Sequence, residues 1–188
     1  MRLQISHADR QNAFLLVNET PSNDPRVEHG VRAAQGWFEL GLAAEAEAEI
    51  ARLPGPTQRL PEVLKLRFHA ARACKRHDAA LEIATGLMEV AADELWGWLY
   101  RSQALHWLGR TTEAHDLLMP LQRRWPKAFE IPYDLACYCA QSGQIEDATE
   151  WFTKAAKLTK HPAAVRSMAL SDPDLKPLWP EIQAGRLG

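Results

Sequence analysis

Three cysteines and seven histidines are the residues of this sequence best suited to nucleophilic or metal chemistry, and their spacing argues against both. The histidines stand at 7, 29, 69, 77, 106, 115 and 161, with no H-E-x-x-H pair and no close Cys/His spacing of a structural zinc site. His69, His106 and Cys137 are a trio that successive helices would bring near one another, but it lacks a fourth ligand. Neither a glycine-rich phosphate loop nor a G-x-S-x-G elbow occurs. Asp172 and Asp174 flank Pro173, a spacing that suits a helix cap better than an acid–base pair. Cys137 and Cys139 lie two apart, where side chains on a helix do not face each other. A disulfide framework is therefore not expected, and a reducing, cytoplasmic compartment is. These exclusions point to a non-enzymatic protein without metal or cofactor.

Charge narrows the partners. The formal net charge is −2, so no global basic field draws nucleic acid or anionic membrane. A local basic cluster, Lys65, Arg67, Arg72, Lys75 and Arg76, would suit RNA, yet the net acidity weighs against that reading. The longest apolar run near the N-terminus, Ala13–Val17, is shorter than a secretory core, and no stretch approaches the roughly 18 apolar residues of a membrane span.

What must position these side chains is a repeat. Ala46, Ala80, Ala114 and Ala148 recur every 34 residues. Gly41, Gly109 and Gly143 keep the same period, with Lys75 in the one place where the glycine is missing. A fixed period of this length signals stacked supersecondary units, each too small to bury its apolar face alone. Each unit reads as helix, glycine-bearing turn, helix. In the first, one helix runs to Leu40 and the second stops at Pro54-Gly55-Pro56. Pro61 suits the first turn of the next. The units divide as 27–60, 61–94, 95–128 and 129–162. Residues 1–26 form an arm and turn-rich linker outside the repeat, and residues 163–188 a capping segment. There Asp172 caps a short helix opened by Pro173, and Leu175, Leu178 and Trp179 close over the last repeat.

The spacing Trp98, Ser102, Leu105, Ala114, Leu118, Leu121, Pro126 resembles the tetratricopeptide repeat, and Gly143, Ala148, Phe152 and Ala155 match its second half again. The resemblance covers about 27–162, and the Asp172-Pro-Asp-Leu175 segment is similar to endings that follow some bacterial groups of these repeats. Arg67 and Arg101 replace the usual leucine. Pro132 stands at the tryptophan position of the fourth unit, so its first helix is expected to start late.

The resemblance implies an all-α fold, an α-α superhelix: a right-handed solenoid of about four helix hairpins plus a C-terminal capping helix. It also implies protein binding, with the first helices of the repeats lining a concave groove. Carried onto this sequence, the ligand-facing positions are Lys65, His69 and Arg72, then Trp96, Leu99, Gln103 and His106, then Glu130, Tyr133 and Cys137. Lys65, His69 and Arg72 share one helix face at i, i+4 and i+7. Trp96, Leu99 and Tyr133 supply bulky anchors. The expected partner is an unidentified protein or peptide bearing carboxylates and bulky apolar side chains. The alternative is an assembly protein, a homodimer for instance, whose groove takes its own N-terminal arm or another copy. Membrane and nucleic acid are not the expected partners.

Overall fold

The computed structural model describes residues 24–187, and among them every regular element is helical. The expected arm therefore lies outside the described residues except for its last three. Ten α-helices follow in order: α1 Pro25–Glu39, α2 Ala43–Ala51, α3 Pro61–Ala73, α4 His77–Val90, α5 Leu95–Trp107, α6 Thr111–Leu118, α7 Glu130–Gln141, α8 Ile145–Leu158, α9 Pro162–Ala169 and α10 Trp179–Gln183. Short 3-10 turns occupy Thr57–Arg59, Met119–Arg123 and Pro173–Leu178. The chain forms two compact units that divide inside α5, between Ala104 and Leu105.

In the first unit, α1 pairs with α2 and α3 with α4, and α2 also lies against α3. The Asp24 carboxylate caps α1 by accepting the Arg26 N–H at 2.9 Å, with Pro25 at the first helical position. The core joins Val27, Val31, Ala34 and Phe38 of α1 to Ala46 and Ile50 of α2 and to Val63 and Leu66 of α3. In the second unit, α7 is enclosed by α6, the 119–123 turn, α8 and the 173–178 turn, and all ten residues from Ile131 to Ala140 are buried. A helix buried on every side is a core helix, here with the Asp134 carboxyl and two tyrosines among its buried side chains. Pro132 does not delay it. α7 begins at Glu130, and Pro132 sits in the first turn, where an N–H has no intrahelical acceptor to lose.

The periodic residues do the work that their small size permits. Ala46, Ala80, Ala114 and Ala148 are each 0% exposed. The turn position takes positive φ in all four hairpins: Gly41 at 82°, Gly109 at 76°, Gly143 at 77°, and Lys75 at 56°. At Lys75 the Cβ crowds the following carbonyl, a strain of about 1–2 kcal/mol, against a smaller entropic cost for glycine. Lys75→Gly is expected to stabilise the chain by about 0.5–1 kcal/mol, read as a higher urea midpoint at unchanged slope. A lower midpoint would mean that the lysine's exposed side chain contributes more than its backbone costs.

The C-terminal turn is built into the second unit. Asp172 Oδ1 accepts the Asp174 N–H at 3.1 Å, so the cap forms at the Asp-Pro-Asp step. Leu175 and Leu178 are fully buried, and their turn packs on α7 and α8. The Trp179 indole N–H donates to the Ala169 carbonyl at 2.8 Å, fastening α10 to the end of α9.

Candidate functional site

In the first unit the positions of α3 and α5 expected to face a ligand divide into a buried wall and a partly exposed edge. His69 is 2% exposed, with Nε2 2.9 Å from the Tyr100 hydroxyl. Phe68 stacks on Tyr100 at 4.2 Å between ring centroids, and the His69 ring meets Tyr100 edge-on at 5.2 Å. Burial pushes the Tyr100 phenol well above its ordinary range, so it stays a neutral hydroxyl beside the imidazole. Leu99 is also buried, at 1% exposure. His69 and Leu99, expected to touch a ligand, thus stand behind the surface. Lys65, Arg72, Trp96 and Gln103 remain partly exposed. The Trp96 ring leans on Tyr100 at 5.8 Å and 40°, which fixes its orientation, and Lys65 Nζ lies 2.9 Å from the Glu94 carboxylate.

In the second unit the corresponding positions are already engaged. Tyr133 and Cys137 are buried, and both donate to Asp172 Oδ2, at 3.0 Å from the phenol and 3.8 Å from the thiol. His106 Nε2 is 3.2 Å from Asp174 Oδ2, while Nδ1 is 2.9 Å from the Thr111 hydroxyl. A carboxylate can only accept, so Nε2 carries the proton, and in the neutral ring Nδ1 accepts from Thr111. Gln141 Nε2 completes the set by donating to the Asp174 carbonyl at 2.9 Å. Burial first, then the neighbouring Asp172 charge, drives the Tyr133 and Cys137 pKa values far up, so both stay protonated as donors. Glu130, half-buried at the start of α7, has its carboxyl raised by the same loss of solvent.

The chain's own C-terminal turn therefore covers the expected ligand face of α7. Glu94, Tyr100, Gln141 and the pair Asp172 and Asp174 are site neighbours that the spacing of the first helices did not reveal. The Asp-Pro-Asp signal was legible as a cap. That the second oxygen of Asp172 would reach Tyr133 was not, because the two lie 39 residues apart. Among the described residues no group of three or more His, Cys, Asp and Glu side chains could hold a metal ion, and no helix is long and apolar enough to cross a membrane.

Successive helix hairpins, each turned at a positive-φ position and each burying an alanine of its second helix, define a helical-repeat protein. The fold is that of the tetratricopeptide repeats: a solved structure of MamA (MamA MSR-1 C2), a protein of that kind, matches with a TM-score of 0.58 and 19% identity, over 80% of this chain and 87% of that one. No protein-family model and no curated protein matches the chain.

Proposed function

We propose that this protein is a non-enzymatic interaction scaffold that holds a peptide bearing carboxylates and a bulky apolar side chain against the first helices of its repeats. The observation that carries the reading is the occupied face of α7. There Tyr133, Cys137 and His106 receive the carboxylates of an Asp-Pro-Asp-Leu turn, while Leu175 beside them is fully buried. A bound acidic, apolar peptide would make the same kind of contacts. In the first unit, the corresponding positions are Lys65, paired with Glu94, together with Arg72, Gln103 and the Trp96 ring, all at a partly exposed edge where a ligand carboxylate would exchange with Glu94.

Tryptophan and arginine anchors dominate binding energies of this type. Peptides selected from a random library on the full chain should be rich in Asp, Glu and apolar residues. Trp96→Ala should weaken the best of them by about 2 kcal/mol, roughly 30-fold in Kd. Selection of basic peptides, or indifference to both Trp96→Ala and Lys65→Glu, would remove the reading.

Self-association is the second reading. It is favoured by Trp37 and Leu40, exposed by 39% and 71% at the end of α1. Neighbouring exposed hydrophobics of this size are typical of association surfaces. Light scattering on the chain and on Trp37→Ser decides it: a dimer that the substitution dissolves supports self-association, and a monomer in both discards it.

A further inference from the structure

Positive side chains in this protein are commonly paired, as in Arg32–Glu28, Arg52–Glu49 and Arg110–Glu113. One region of the second unit departs from that habit. Residues 119–129 and 151–161, bounded by Glu130 and Glu150, contain no Asp or Glu and carry, besides Arg124, the exposed Arg123, Lys127, Lys154, Lys157 and Lys160. Arg123, Lys127, Lys154, Lys157 and Lys160 form no ion pair among the described residues. The two segments meet where Lys154 Nζ donates to Gln122 Oε1. Lys157 follows Lys154 at i+3 on α8, so those two ammonium groups share a helix face.

Each segment also presents a partly exposed tryptophan under a cation. The Arg124 guanidinium lies 4.4 Å from the Trp125 ring centroid, and Lys154 Nζ lies 4.9 Å from that of Trp151. The planar Arg124 guanidinium on Trp125 offers a stacking platform, the Lys154 ammonium beside Trp151 offers a point charge next to an aromatic ring, and together they combine stacking with phosphate-binding charge.

We infer that this surface binds single-stranded nucleic acid, with phosphates on Arg123, Lys127, Lys154 and Lys157, one base stacked at the Arg124–Trp125 pair and a second against the Trp151 ring that Lys154 leaves as it turns to a phosphate. The composition is wrong for insertion into a lipid surface: the tryptophans are half-buried with cations over them, and Met119 is the large aliphatic side chain left exposed in these segments. An acidic peptide would satisfy the charges but leave the ring pairs without a planar partner. The surface shares no residue with the Lys65 and Trp96 edge, so its failure would leave the peptide reading untouched.

The test is fluorescence anisotropy of labelled oligothymidylate and oligouridylate with the full chain. Four phosphate contacts predict a log–log salt slope of about −3, or binding about 50-fold weaker between roughly 50 and 200 mM salt. The paired changes Arg123→Ala/Lys127→Ala and Lys154→Ala/Lys157→Ala, all at exposed positions, should each weaken binding about tenfold and flatten the slope by about 1.4. Arg124→Ala should weaken it at little change of slope relative to those pairs. No binding at the lower salt, no response to the paired changes at unchanged helicity, or equal affinity for polyglutamate or phosphatidylserine vesicles would overturn the inference.

Discussion

Leu175→Ala is expected to destabilise the second unit by about 2–5 kcal/mol, the cost of truncating a leucine that leaves a cavity. Leu175 is fully buried where the 173–178 turn packs on α7 and α8, next to the Asp172 bonds to Tyr133 and Cys137. Loosening the turn would therefore also strand the Tyr133 hydroxyl in a buried site, and a stranded polar group adds its own penalty of about 1–3 kcal/mol. Urea unfolding followed by far-ultraviolet circular dichroism reads the loss as a lower midpoint. A change under about 0.5 kcal/mol would mean that the turn is a surface appendage and that α7's face is available to other ligands.

High pH should have a comparable effect. Tyr133 and Cys137 in the second unit, and Tyr100 in the first, all have folded pKa values raised by burial above their ordinary 10.0, 9.0 and 10.0. A raised folded value means stability fully present below the unfolded value and lost as pH climbs past it, because the unfolded chain releases a proton that the folded chain keeps. Each such group lowers stability by about 1.4 kcal/mol per pH unit, so Tyr133 and Cys137 together give about 3 kcal/mol per unit above roughly pH 10. Against a usual domain stability of about 5–15 kcal/mol, that slope is a large fraction of the second unit's stability for each pH unit. Urea midpoints taken from neutral to strongly alkaline pH should stay level up to about pH 8.5 and then fall steeply. Cys137→Ala should shallow the fall in that unit, where Cys139 and Tyr133 still contribute, whereas a flat profile beyond pH 11 would contradict the protonated, buried assignments of Tyr133 and Cys137.

The repeat was legible because its signals are local. An alanine every 34 residues marks where helices approach closely, and the glycines mark a backbone conformation that other residues enter with strain. Lys75 shows that the turn persists without its glycine, which the surrounding period made readable. Pro132 misled for a reason equally local: proline disrupts a helix interior, but position 132 belongs to the first turn. The site was legible only as a set of faces. Helical spacing assigns His69, Leu99, Tyr133 and Cys137 to a face but does not say what covers it. Tyr100 covers His69, and Asp172 covers Tyr133 and Cys137, through contacts separated by 31 to 39 residues. Likewise, Asp172 signals a cap through its near neighbours, and the task of its second oxygen depends on the folded chain.

Photo-crosslinking from position 103 tests the central claim most directly. A benzophenone side chain would replace Gln103, two turns from an intact Trp96 on the first-unit edge, with a control at Glu82, an exposed position on α4. An acidic, apolar peptide selected on the full chain is expected to crosslink from position 103 and not from position 82. Crosslinking from both positions equally, or from position 82 alone, would contradict the groove reading.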